Sequence, residues 1–445
     1  MTRLFGTDGV RGIANEELTP ELAFKIGRAT AQVLRNKEKQ KVLIGRDTRA
    51  SSSMLEAAVA AGLCSAGVDV VCAGTITTPG VAYLVRNMGF DGGVVISASH
   101  NPAKYNGIKI FGSDGFKIPD ETEDRIESLV GQEQDRLPRP SAEGIGVIEH
   151  ERELVDEYVS FLIGSAGTAL RGLKIVLDCA NGATTDIAPR VFRRLGAEVL
   201  AMNTEPDGLN INKGCGSTQM EPICRMVKQK GADLGLAFDG DGDRVLGVSE
   251  KGEVVDGDQI LAICAMDMID KGELPEKTVV GTVMSNLGLD IALRRVGGRV
   301  IRTRVGDRNV LEEMRRRELV LGGEQSGHII FLSRTTTGDG ILTGLLLSAI
   351  CKNTGRPLSD LASVMEKLPQ VLVNVRSTKS VELSRCPATT RAIADAEAEL
   401  GTRGRVLVRA SGTEPLIRIM VEGDDEAVVK RLATHIKEVV EEELG

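Results

Sequence analysis

The 445-residue chain has no tryptophan, only three tyrosines and only four histidines. With aromatics at 3%, its cores must be aliphatic, built from Val, Leu, Ile and Ala. No run of about 18 apolar residues occurs, so no transmembrane helix is expected. The opening Met1-Thr2-Arg3-Leu4-Phe5-Gly6-Thr7-Asp8 has no apolar signal core. The eight cysteines (64, 72, 179, 215, 224, 264, 351, 386) form no C-x-x-C pair. They read as buried free thiols in a reducing compartment, and the protein as cytoplasmic. No Walker A motif occurs, and no G-x-S-x-G elbow, which weakens a serine-hydrolase reading. A net charge of −8 argues against general nucleic-acid binding but leaves room for a local basic pocket.

What is present is more specific. Residues 239–244 read Asp-Gly-Asp-Gly-Asp-Arg. Two unit charges about 4 Å apart repel by roughly 4 kcal/mol at an effective dielectric of about 20. Three carboxylates held together must therefore share a cation or take up protons. All the donors are hard oxygens, which favours Mg²⁺, Mn²⁺ or Ca²⁺. Counted from Asp239, the EF-hand pattern is met at positions 1, 3, 5 and 12, the last by Glu250. Position 6 is Arg244 where glycine is needed, and the flanks are strand-like. A non-enzymatic Ca²⁺-binding protein is the alternative this pattern keeps open. Arg244 suits a Mg²⁺ site, because its guanidinium can hold phosphate oxygens bidentately.

One pattern of β-branched runs, helix-like segments and polar loops repeats three times. The expected strands are 42–44, 68–71 and 93–96, then 174–177, 197–200 and 234–237, then 279–283, 299–302 and 318–321. A helix is expected over 20–36, with Thr19 as N-cap, Pro20 in the first turn and Leu22, Ile26, Ala29 and Val33 on one face. Open α/β sheets place their sites at the carboxyl ends of strands. There the three copies carry Ser97–Pro102, the Asp loop and Gly323–His328, which suggests three related α/β domains facing one cleft. The last 75 or so residues read as a small α+β domain, with strands at 371–375, 405–408 and 416–421 and helices at 388–400 and 425–443. Segment 131–145 reads as a linker or surface loop. The expected domains are 1–150, 151–255, 256–368 and 369–445.

Taken singly, the other loops are weaker signals. Ser99 beside His100 is compatible with a structural turn, since adjacent side chains on extended backbone point apart. Lys109 lies in an apolar strand-like run; it is either a solvated edge lysine or, beside a cationic site, an acid or base of lowered pKa. Glu324, Gln325, Ser326 and His328 offer groups suited to sugar hydroxyls. Arg409-Ala410-Ser411-Gly412-Thr413-Glu414-Pro415, with Arg418 on the next strand, reads as a phosphate nest or a plain hairpin turn.

Together the four loops, in this order, resemble the α-D-phosphohexomutase superfamily along essentially the whole chain. Phe5–Gly12, Gln325 and Thr282-Val283-Met284-Ser285-Asn286 place the resemblance with the members acting on hexosamine phosphates. Members acting on mannose or glucose phosphates more often carry Met at the Gln325 position, and they are the alternative. One departure is Asn309, where an aromatic is expected. The resemblance implies three α/β domains with mixed sheets plus a C-terminal α+β domain around a central cleft. It implies that Ser99 is a phosphoserine and that Asp239, Asp241 and Asp243, with the group on Ser99, hold one Mg²⁺. It places Arg11, His100, Lys109 and Arg244 around the transferring phosphoryl group, with Lys109 or His100 handling the hydroxyl proton. Glu324, Ser326 and His328 would face the sugar. Arg409, Ser411, Gly412, Thr413 and Arg418 would hold the distal phosphate, and the last domain would close over substrate. The implied reaction interconverts glucosamine 6- and 1-phosphates through a 1,6-bisphosphate, feeding cell-wall precursors. A homodimer is a family expectation; no nucleic-acid or membrane partner is implied.

Overall fold

The computed structural model describes residues 3–6, 8–35, 37, 39–376, 386–410 and 416–444. Among these the strands form four sheets. The first runs Phe5–Gly6, Gly9–Ile13, Tyr105–Gly112, Gly92–Ile96, Gln40–Arg46, Val68–Thr75, Ile148–His150. The second runs Val254–Val255, Val245–Ser249, Leu234–Phe238, Lys174–Asp178, Glu198–Met202. The third runs Arg299–Thr303, Thr278–Thr282, Leu321–Gly323, Ile329–Phe331. The fourth is antiparallel, with Leu416–Gly423 between Gln370–Arg376 and Gly404–Ala410. The chain groups into two compact units, residues 1–284 with 300–364 and residues 285–299 with 365–445. The three larger sheets lie in the first unit and the three-stranded sheet in the second.

The three larger sheets share one device. Gly92–Ile96, Leu234–Phe238 and Leu321–Gly323 each run parallel to one neighbour and are followed by an antiparallel return strand. The registers close at Ile96 with Ile108, Phe238 with Val245 and Gly323 with Ile329. Each chemically rich loop is therefore a hairpin turn at a strand's carboxyl end, a fixed mount rather than a strand-to-helix crossover.

The first helix spans Pro20–Val33, and Thr19 caps it by accepting the Leu22 N–H at 3.3 Å. Its inner face, including Ala23 and Ile26, joins Val42, Ile44, Val94, Ile96, Ile108 and Ile110 in one aliphatic core. One expected strand starts late. Instead of Glu318–Leu321 the strand is Leu321–Gly323. Glu318 has φ 56° and Leu319 N–H bonds back to Met314 O, so these residues close the helix Asp307–Arg316 instead. Asn309 lies in that helix and donates to Val305 O at 2.9 Å. Segment 131–145 holds one short turn, Ala142–Gly144, and is strapped down by the buried Arg28, which bonds Asp135, Leu137 O and Pro138 O. In the second unit, alternate residues Ile417, Ile419 and Val421 pack on Val429, Leu432, Ile436 and Val440 of helix Glu426–Leu444. All eight cysteines are free, and all but Cys224 are buried. No helix among the described residues is long and apolar enough to cross a membrane.

Candidate active site

Asp239, Asp241 and Asp243 are buried, and one carboxylate oxygen from each lies within 4.8 Å of the others. The alternate glycines are steric requirements. A Cβ on Gly240 would sit 2.6 Å from Ser99 O, and Gly242 has φ +71° with Thr77 packed against it. Asp241 Oδ1 and Asp243 Oδ1 are buried with no hydrogen-bond partner. Orphaned, buried, anionic oxygens of this kind are what a hard divalent cation takes up, so the residues present fit Mg²⁺. Burial, then the charges of Asp243 and Asp241, hold the Asp239 carboxyl well above the usual range.

Ser99 belongs to the loop after Gly92–Ile96, about 140 residues before the triad, yet its Oγ donates to Asp239 Oδ2 at 2.6 Å. His100 Nδ1 lies 3.3 Å from the same Oγ. Burial, with the charges of Arg244 and Arg11, pushes the His100 pKa down to about 4, so the ring is neutral near pH 7. Lys109 is buried on strand Tyr105–Gly112, its Nζ 2.9 Å from both Asp241 Oδ2 and Asp8 Oδ2 and 3.7 Å from Asp243 Oδ2. Burial opposes its charge, but the three carboxylates outweigh burial and raise its pKa. The expectation of a lowered lysine pKa therefore does not describe this arrangement. The structure sets Lys109 among anions, where the expectation assumed cationic neighbours. Arg244 and Arg11 each bury an Nε with no hydrogen-bond partner, the Arg244 Nε standing 3.8 Å from Asp243 Oδ1, and Arg11 pairs with Asp8.

Glu324 is half-buried and accepts the Gly306 N–H at 3.0 Å; Ser326 is exposed. His328 differs from both. It is buried, with Nδ1 3.6 Å from Asp243 Oδ2 and Nε2 accepting the Gly338 N–H at 3.1 Å. It therefore braces the metal loop in this structure. In the second unit Arg409 and Arg418 stand directly opposite across two antiparallel strands. Burial and the Arg418 charge lower the Arg409 pKa. Ser411, Gly412 and Thr413 lie outside the described residues.

Sequence reasoning missed the supports. Asp8, Lys117 and Asp307 link up through Lys117 Nζ, which contacts both carboxylates. Thr78 Oγ1 donates to Asp241 Oδ2 at 2.6 Å. The buried pair Asp47 and Arg49, at 2.8 Å, sits behind the Ser99 loop. One signal was available for that pair: Asp47 and Arg49 lie just after strand Gln40–Arg46, at its carboxyl end, where sites form in open α/β sheets.

Four family models match the chain: phosphoglucomutase/phosphomannomutase alpha/beta/alpha domains I, II and III at residues 2–137, 156–252 and 256–368, and the C-terminal domain at 372–439. The chain belongs to the phosphoglucomutase/phosphomannomutase family, the phosphohexomutases, and is an isomerase with that family's α/β fold. Its curated relatives narrow the class. A phosphoglucosamine mutase of Symbiobacterium thermophilum is 56% identical over 100% of both chains. One from Desulforudis audaxviator is 54% identical, covering 99% of this chain and 98% of its own. Among solved structures, a phosphoglucomutase/phosphomannomutase family protein of Burkholderia thailandensis superposes with TM-score 0.83 at 25% identity, covering 99% and 98% of the two chains. The Aspergillus fumigatus N-acetylphosphoglucosamine mutase, solved with GlcNAc-6P and magnesium, shares the fold at TM-score 0.68 and 18% identity, over 99% and 96%.

Proposed function

We propose that the protein interconverts glucosamine 6-phosphate and glucosamine 1-phosphate, with Ser99 as the phosphoryl carrier. Identities of 52% and above to full-length phosphoglucosamine mutases support the substrate. The observation that carries the mechanism is Ser99 Oγ on Asp239 Oδ2, because it joins a nucleophilic oxygen to a buried acidic triad. Phosphoserine 99 gives its phosphoryl group to the free sugar hydroxyl, forming a 1,6-bisphosphate. After the intermediate reorients, Ser99 takes back the other phosphoryl group. Such transfers need positioning and charge neutralisation more than covalent assistance.

Asp239, Asp241 and Asp243 would hold Mg²⁺, which when bound supplies positive charge beside the phosphoryl oxygens. The Nε groups of Arg11 and Arg244, neither of which has a hydrogen-bond partner, suit those same oxygens. Lys109 and His100 are the two groups for the hydroxyl proton. Single-turnover phosphoryl transfer by Lys109→Ala and His100→Asn separates them: the group whose loss slows the transfer step itself is the one that handles the proton. Glu324 and Ser326 take sugar hydroxyls. Arg409, Ser411, Gly412, Thr413 and Arg418 take the phosphate that is not reacting. Phosphorylation of Ser99 is required for activity, and the enzyme works in the cytoplasm.

The test is intact-mass analysis and turnover of wild type and Ser99→Ala on glucosamine, glucose and mannose phosphates. Wild type should carry one phosphoryl group and turn over glucosamine phosphate fastest. An Ser99→Ala enzyme with wild-type turnover contradicts the carrier role. Faster turnover of mannose or glucose phosphate contradicts the substrate.

A further inference from the structure

Ser99 has φ 51°, a left-handed backbone that a serine adopts only when its surroundings hold it there. The atoms that hold it can be traced. Its N–H donates to Ser97 Oγ at 3.0 Å, and Ser97 Oγ donates to Asp47 Oδ2 at 2.7 Å. Its carbonyl accepts from Arg49 at 2.9 Å and from Asn212 Nδ2 at 2.9 Å. Arg49 is buried, and its guanidinium spends every donor. Nε bonds Asp47, one terminal nitrogen bonds Ser99 O and Asn101 O, and the other bonds Pro102 O and Tyr105 O. Four carbonyls of one hairpin loop thus converge on one side chain. Asp47 is itself fixed by Ser52 Oγ at 2.7 Å. Asn212 reaches the same loop from the second sheet's side, bonding Asn101 O at 3.1 Å as well.

We infer that Arg49 and Asn212 are positioning residues that lock Ser99 in its strained turn, so that Oγ faces the metal loop and not water. Neither side chain touches Ser99 Oγ. Both act on the backbone that aims it. Burial of a cation among neutral carbonyls, with Asp47 as its counter-ion, makes little sense as a plain stability device, because an apolar side chain fills a core at lower cost. It does suit a loop that must hold one conformation while a phosphoryl group arrives and leaves. The inference rests on the reading of Ser99 as the phosphoryl carrier.

Arg49→Lys keeps the charge but has no planar fork, so it cannot bond four carbonyls at once. Asn212→Ala removes the two bonds from the second side; because Asn212 itself has φ 58°, the alanine also strains that backbone, so melting temperature is read beside kcat. A misplacement of about 1 Å costs on the order of 100-fold in rate. Arg49→Lys is therefore expected to lower kcat by about 100-fold and Asn212→Ala by about 10-fold, with KM within about threefold of wild type. In both, the inorganic phosphate released per product formed should rise, because a loosened phosphoserine meets water. Ser99→Ala separates the two layers. If it turns over normally, the carrier reading fails and this inference with it. If Ser99→Ala is inactive while both variants show wild-type kcat and phosphate release, only the positioning role is overturned. A melting-temperature drop with unchanged kcat also overturns it. Should Arg49→Lys not fold, Asn212→Ala decides alone by the same two readouts.

Discussion

Two regions of this protein crowd like charges, and they handle the crowding differently. The Asp loop buries three carboxylates, while the paired strands of the second unit set Arg409 opposite Arg418. The acidic loop is deep and carries its own partial counter-ion, since Lys109 touches the Oδ2 side of Asp241 while the Oδ1 atoms of Asp241 and Asp243 have no hydrogen-bond partner. The arginine pair is half-buried. Like charges facing each other across strands destabilise a sheet. The triad fits a cation; under the proposed function the arginine pair would face an anion. The difference is in what the protein supplies beforehand. The triad is buried and braced by Lys109, Thr78 and His328, whereas the arginine pair is half-buried on two paired strands and, under the proposed function, would take the phosphate that is not reacting.

The sharpest way to break this comparison is to remove one triad member. Asp243→Ala, or chelation of wild type, should cut kcat by roughly 1,000-fold, since a metal supplies several kcal/mol of charge stabilisation. A loss under tenfold in steady-state assays with excess Mg²⁺ would detach the loop from the chemistry.

Next in size is stability without metal. The folded Asp239 carboxyl has its pKa raised above the unfolded value. The sign follows directly: metal-free wild type is favoured at low pH and loses stability as pH rises through that raised pKa. Asp239→Asn should reduce this slope and be more stable than wild type at pH 8 in chelator, with the remaining slope carried by Glu123 and Asp339, which burial raises to about 7 and about 6. Wild type alone should regain stability on adding Mg²⁺. Urea denaturation at two pH values, with and without metal, reads all of this.

For the arginine pair, Arg418→Ala should raise KM by about 30-fold, corresponding to about 2 kcal/mol for a charge-assisted contact, with kcat less affected. An unchanged KM would make the pair structural.

The smallest effect belongs to His100. Its folded pKa, near 4, lies below the unfolded value of about 6.5. The folded enzyme therefore loses stability as pH falls from about 6.5 towards 4, by about 1 kcal/mol after allowance for partial exposure. His100→Asn should flatten that part of the stability profile relative to wild type.

Much of the site was legible in the chain because its chemistry is local. Asp239–Arg244, Ser97–Pro102 and Gly323–His328 are contiguous runs, and the strands that carry them have β-branched patterns that stand out. The pairing of Ser99 with Asp239 came from the resemblance, since the two lie about 140 residues apart. What escaped notice was long-range and non-periodic. Lys117 meets Asp307 across 190 positions, and Arg49 spends its donors on carbonyls, which no sequence displays. Lys109 and His328 were visible as residues but not as environments: the anions around Lys109, and the Asp243 contact of His328, exist only once the strands are paired. The late start of strand Leu321–Gly323 has a similar origin, since a helix closure at Glu318 overrides the β-branched appeal of Leu319 and Val320.

The central claim is that the Asp loop is half a metal site, completed by the phosphoryl group on Ser99. Calorimetric titration of Mg²⁺ into the phosphorylated and dephosphorylated forms of the same preparation tests it most directly. At least tenfold tighter binding to the phosphorylated form, about 1.4 kcal/mol, is the expected result; equal affinity for the two forms would contradict it.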